Sequence, residues 1–88
     1  MQLNVRNGKV GGGPRTLADL RLNEEGLLDR IDLPGDFARR LMELGFLPGH
    51  PVSAIHTAPG GDPRVFRVDG GEIALRRETA RHIHLRKK

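Results

Sequence analysis

The chain has no cysteine, no tryptophan and no tyrosine, and its only serine is Ser53. Without thiols it can build neither a disulfide nor a thiolate metal cluster, and a cysteine nucleophile is excluded. Ser53 lies in a strand-like run that offers no nucleophile elbow. A phosphate loop is missing too: no Gly-Lys-Ser/Thr occurs, and Gly11-Gly12-Gly13 precedes no strand-to-helix unit. The carboxylates are scattered, with no pair held together for acid–base work, and Glu24-Glu25 reads as a solvated turn. No apolar run exceeds the three residues Ile73-Ala74-Leu75, too short for a transmembrane helix or a secretory core segment. These absences predict a non-enzymatic domain without cofactor or membrane insertion, cytoplasmic by default.

Aromatics are equally scarce. The three phenylalanines, Phe37, Phe46 and Phe66, all fall on positions expected in the core. That leaves no stacking platform for single-stranded nucleic acid and no aromatic groove for proline-rich peptides.

At 88 residues the chain is one small domain. Residues 1–16 lack apolar periodicity and contain Gly11-Gly12-Gly13-Pro14, so they are expected to form a flexible arm before a domain over 17–88. The net charge of +4 is unevenly spread. Residues 1–16 carry three basic groups and no acid. Residues 17–75 hold six basic against ten acidic groups, and residues 76–88 six basic groups against Glu78. An acidic body therefore sits between basic ends. Basic ends can meet phosphates, anionic lipid or an acidic protein, although terminal Lys and Arg more often only keep a small domain in solution.

The most informative stretch is Arg39 to Gly49. Phe37, Leu41 and Leu44 recur at helical spacing, Asp36 suits an N-cap, and Gly45 falls where a left-handed residue ends a helix. Phe46 is placed to fold back on Leu41, and Pro48-Gly49 fits the centre of a type II turn. Beyond it the period changes to two. Strands are expected over Pro51 to Thr57, Val65 to Val68, Glu72 to Leu75 and His82 to Leu85, and upstream over Gly26 to Asp32. Ala58 to Pro63 is a dense turn cluster, Asp69-Gly70-Gly71 a tight hairpin, Arg77 to Ala80 one helical turn and Leu17 to Leu20 another. The expected core is Phe37, Leu41, Leu44, Phe46, Val52, Phe66, Val68, Ile73, Leu75 and Ile83. Five short strands, one helix inserted after the first (residues 36–44) and a short N-terminal helical turn describe a mainly β, SH3-like barrel.

Histidine is the nearest approach to a metal signal. His82 and His84 alternate onto one face of the last strand, where His50, His56 or a carboxylate could complete a shell. Simple alternation of polar residues onto the outer face accounts for them equally, and no tight metal site is expected. Among the arginines, Arg76 is expected to tie its corner to the body and Arg77 to be free to reach a partner.

The blocks Leu17-Ala18-Asp19-Leu20, Arg40-Leu41-Met42-Glu43-Leu44-Gly45-Phe46-Leu47-Pro48-Gly49, Ala58-Pro59-Gly60-Gly61-Asp62-Pro63 and Ile73-Ala74-Leu75-Arg76, with Gly26, Ala80 and Ile83, occur in an order that resembles the ferrous-iron transport protein A (FeoA) family over Leu17 to Leu85. The resemblance implies a small cytoplasmic, non-enzymatic accessory protein of ferrous-iron uptake. Its partner would be the cytoplasmic GTP-binding part of a membrane ferrous-iron transporter, FeoB. At Gly60 the sequence departs from the family, which often has a larger apolar residue there. Loops and strand ends are the free recognition surfaces of a small barrel, so Pro59, Gly60, Asp62, Arg76 and Arg77 are the expected partner-binding residues, with a monomer as the expected state. The alternative is a nucleic-acid-binding small β-barrel that uses the basic C-terminal tail.

Overall fold

A computed structural model describes residues 15–86 of the chain. Five strands are present among them: β1 (Glu25–Ile31), β2 (Pro51–Thr57), β3 (Arg64–Val68), β4 (Gly71–Leu75) and β5 (Ile83–Leu85). They pair antiparallel in the order β4-β3-β2-β1-β5. Helix α1 (Gly35–Glu43) is inserted between β1 and β2, and α2 (Arg77–Ala80) joins β4 to β5. A 3-10 turn at Leu17–Asp19 precedes the first strand and a second, at Pro59–Gly61, lies in the β2–β3 loop. The mainly β architecture with one inserted helix is therefore the expected one, and element ends differ from expectation by a residue or so.

The end of α1 forms as its sequence dictates. The N–H of Phe46 donates to the carbonyl of Leu41 at 3.1 Å and that of Gly45 to Met42 at 3.0 Å, with Gly45 at φ +111°. This is the double bond pattern of a Schellman stop. His50 N–H then donates to the Leu47 carbonyl at 3.0 Å across Pro48-Gly49, with Gly49 at φ +85°, as a type II turn requires. At the β3–β4 hairpin Asp69 and Gly70 both have positive φ, and Val68 pairs with Gly71. Such a two-residue turn matches the twist of its strands.

The core lies on the inner face of the bent sheet and against the helices: Leu17, Leu20, Leu28, Leu41, Phe46, Val52, Ala54, Phe66, Val68, Leu75, Ala80, Ile83 and Leu85. Three expected members are not in it. Phe37 is 45% and Leu44 46% exposed, because α1 buries its Ala38 and Leu41 face instead. Ala38 and Leu41 are three residues apart and centre the buried arc, which leaves Phe37 and Leu44 on its flank. Ile73 is half-buried against the core. The helix also begins one residue before the expected cap: Pro34 occupies the N-cap, and Asp36 lies inside the first turn without a side-chain capping bond. There its charge still complements the helix dipole.

Arg15 and Thr16, expected at the end of the arm, are joined to the last strand. Leu85 N–H donates to the Arg15 carbonyl at 2.7 Å, and Thr16 bridges to His84. The Asp19 carboxylate accepts the N–H groups of Arg15 and Thr16 at 3.2 and 3.1 Å. Residues 1–14 of the expected arm lie outside the described residues.

Candidate functional site

The β2–β3 loop and the β4–α2 corner meet at one end of the barrel. Pro59 and Pro63 confine this loop, while Gly60 and Gly61 turn it at φ +86° and +90°. Ala58 closes it by donating its N–H to the Pro63 carbonyl at 3.0 Å. Asp62 then reaches across the gap: its carboxylate Oδ1 accepts the backbone N–H of Arg77 at 2.9 Å. That N–H is one of the orphan donors at the start of α2, so the loop caps the helix of the neighbouring corner. A β-carbon on Gly61 would lie 3.7 Å from Nη2 of Arg77, so the guanidinium passes along the loop.

Pro59, Gly60, Asp62, Arg76 and Arg77 are all exposed. Asp62 and Arg77 are directly bonded, and Arg76 and Gly60 flank them in sequence. Arg76 serves as the backbone N-cap of α2, its carbonyl accepting the N–H groups of Thr79 and Ala80 at 3.0 and 2.9 Å. Among the described residues its side chain makes no hydrogen bond or ion pair, which departs from the structural tie expected of it. An open groove of about 550 Å³ runs beside this junction, lined by Ala18, Asp19, Asp62, Arg77, Glu78 and Arg81. The ion pairs among the described residues are Arg30–Asp29 and Arg67–Glu72, so the groove's guanidinium and carboxylate groups are not consumed by one another. Nothing in this arrangement provides a nucleophile with a base. It presents fixed charges and backbone at a rigid corner, which suits recognition of another macromolecule.

Arg64, at the start of β3, escaped sequence reasoning. It is only 7% exposed; its Nη1 donates to the Ala18 carbonyl at 3.2 Å and its Nε lies 3.4 Å from Thr57 Oγ1. Its guanidinium also sits 5.8 Å from the centre of the Phe66 ring. Arg64 thus fastens the N-terminal 3-10 turn, one wall of the groove, to the sheet. Alternation was a usable signal: Arg64, Phe66 and Val68 share one face, and only the charge argued against an inward position.

His82 lies in the turn before β5 and is not part of the strand, whereas His84 pairs with Arg30 on β1. Among the described residues no group of three or more His, Cys, Asp or Glu is placed to hold a metal ion. No helix of the described residues is long and apolar enough to cross a membrane.

Comparison with known proteins places this architecture. The family model of the FeoA domain matches residues 15–87. A curated relative, the Fe(2+) transport protein A/Fe(2+) transporter FeoB fusion protein of Porphyromonas gingivalis, is 30% identical over 69 residues. The match takes in 78% of this chain, which spans only 8% of that relative's length. The crystal structure of zinc-complexed FeoA from Stenotrophomonas maltophilia, described as a procaryotic SH3 domain protein, is 32% identical with a TM-score of 0.73, covering 83% of this chain and 91% of the other. The solution structure of FeoA from Chlorobium tepidum gives 26% identity and a TM-score of 0.76, covering 82% and 69%.

Proposed function

Because the chain belongs to the FeoA family, we propose that it is an accessory protein of ferrous-iron uptake that acts by docking on the cytoplasmic part of a membrane ferrous-iron transporter of the FeoB kind, near its GTP-binding domain. The family is one of small SH3-like domains and not of enzymes. The observation that carries the proposal is the relative in which transport protein A and the transporter FeoB are one polypeptide. Fusion holds two modules at a high effective concentration, which benefits partners that meet. On this reading the chain works in the cytoplasm, and iron is the transporter's cargo, not a resident of this domain.

The docking surface is the corner formed by Pro59, Gly60, Asp62, Arg76 and Arg77. Gly60 has no side chain, and a β-carbon built there would touch nothing within 4 Å. Without an apolar tip the contact leans on the exposed charges of Asp62, Arg76 and Arg77. Polar contacts of this sort steer association more than they tighten it, and salt screens them. The test is a pull-down or titration of the full chain against the transporter's cytoplasmic domain at low and moderate salt.

A further inference from the structure

The sheet ends in β5 on one side and β4 on the other, and the two edges are treated differently. Along β5, Leu85 N–H donates to the Arg15 carbonyl and Thr16 bridges to His84, so the chain covers this edge with its own backbone. Among the described residues β4 pairs with β3 alone. Alternation decides which way each β4 residue turns. Val68 and Gly71 flank a two-residue hairpin and so form a hydrogen-bonded pair. Phe66–Ile73 is then the next such pair, and Arg67–Glu72 and Val65–Ala74 are left without ladder bonds. The neighbouring strand agrees: Ala54, opposite Phe66, donates its N–H to Glu24 and accepts the N–H of Asn23, facing away from β3. Glu72 and Ala74 therefore direct their N–H and C=O groups outward, about 7 Å apart along the strand. Among the described residues none of these four groups has a hydrogen-bond partner.

Exposed edges are usually blunted by a bulge, a proline or an outward charge. The β3–β4 register runs unbroken, whereas β1–β5 and β2–β3 both shift, and β4 contains no proline or lysine. Its one charge, Glu72, is drawn back toward β3 by Arg67 at 3.1 Å. Ala74 is exposed and small. Arg76 is extended at φ −70° and ψ 150°, so it carries the line of β4 on to Arg77 and shares a face with Glu72 and Ala74.

We propose that the β4 edge accepts an extended, acid-bearing segment of the transporter's cytoplasmic part as a sixth strand. The inference rests on the docking function proposed above and names its mode. Unpaired ladder groups call for an extended backbone, and such strand addition draws its affinity from main-chain bonds and its selectivity from side chains. Two residues say what those side chains are. Ile73, half-buried between Glu72 and Ala74, takes an apolar neighbour on the added strand. Arg76, whose side chain makes no hydrogen bond or ion pair among the described residues, takes a carboxylate. A second copy of this chain fits less well, because the one acid of its β4, Glu72, is already engaged by Arg67. The edge leads directly into Arg76 and Arg77, so the added strand and the Asp62–Arg77 corner form one continuous contact.

Amide exchange of the full chain, followed by NMR with and without the transporter's cytoplasmic domain, tests this. In the free chain Ile73 should exchange slowly and Glu72 and Ala74 fast; with the domain bound, all three should be slow. Ala74→Pro removes one outward donor and no bond to β3, a change that an edge strand tolerates. It should keep the melting temperature within a few degrees and weaken binding about tenfold or more, and Arg76→Glu should weaken it about fivefold. Unchanged exchange at Glu72 and Ala74 while the domain is bound overturns strand addition and leaves docking on the transporter standing. Undiminished binding by a folded Ala74→Pro variant does the same, and undiminished binding by Arg76→Glu overturns the acidic character of the segment. Protection of these two amides that grows with the chain's own concentration, without the domain, assigns the edge to a second copy and overturns the proposal. A chain that binds no transporter domain at all overturns the docking function and this inference with it.

Discussion

The carboxylate of Asp62 and the backbone N–H of Arg77, 15 residues apart in sequence, are joined by a hydrogen bond of 2.9 Å. The bond holds a glycine-rich loop against the start of α2, and so sets the direction in which the Arg77 side chain leaves the surface. Asp62→Ala removes the acceptor but leaves the N–H accessible to water. It should therefore cost less than about 1 kcal/mol, a fall of a few degrees in melting temperature. The larger effect should appear in the loop: amide exchange at Gly60, Gly61 and Arg77 should accelerate while exchange in β2 and β3 stays slow.

Gly45 and Gly60 both have positive φ, at +111° and +86°, yet they should respond differently to substitution. A β-carbon at Gly45 would lie 2.7 Å from Cβ of Asp69, whereas at Gly60 it would meet nothing within 4 Å. Gly60→Ala should cost only the backbone term, about 1 kcal/mol. Gly45→Ala adds the clash and should exceed it by about 1 kcal/mol or more, with Gly45→Val worse still. Denaturant unfolding of the three variants checks the order. Equal losses at the two sites would remove the packing contribution of Asp69.

Arg64→Ala should be among the more damaging single changes, about 2 kcal/mol, since it leaves the Ala18 carbonyl without its donor and opens space beside Phe66. Arg64→Leu should be milder, because it refills part of the volume and removes a buried charge that has no carboxylate partner among the described residues. Melting curves of the two variants settle the comparison.

For metal, anaerobic calorimetry with Fe(II), or with Zn(II) as a surrogate, should show no tight site in this chain. The chain has no thiolates, and no third ligand is grouped with His82 and His84 among the described residues. Submicromolar affinity that vanishes in the His82→Ala/His84→Ala variant would contradict this.

Much of the fold was legible because local chemistry dictates it. Gly45, Pro48-Gly49 and Asp69-Gly70 each admit few backbone conformations, and they adopt the ones their residue types favour. Alternation likewise put Phe66, Val68, Ile83 and Leu85 on inner faces. The α1 periodicity was less decisive. Its apolar arc spans Phe37, Ala38, Leu41, Met42 and Leu44, wider than the sheet can cover, and a small buried residue, Ala38, fixes which part faces in. A pattern of large side chains cannot reveal that choice. Arg64 was hidden by the habit of placing charge outside, and the Asp62–Arg77 bond by its sequence separation. Contacts of this kind exist only once strands β2 to β4 have brought the two segments together.

Affinity for the isolated cytoplasmic domain of the transporter tests most directly whether the Asp62–Arg77 corner is the surface that meets it. The unaltered chain should bind weakly at low salt and more weakly at moderate salt. Arg77→Glu should lower affinity by roughly tenfold at an unchanged melting temperature, and deletion of residues 1–14 should leave binding intact. Equal binding by Arg77→Glu, or loss on deleting residues 1–14, would place the docking surface elsewhere on the molecule. Tight binding to RNA or DNA at physiological salt, with none to the transporter domain, would contradict the functional assignment itself.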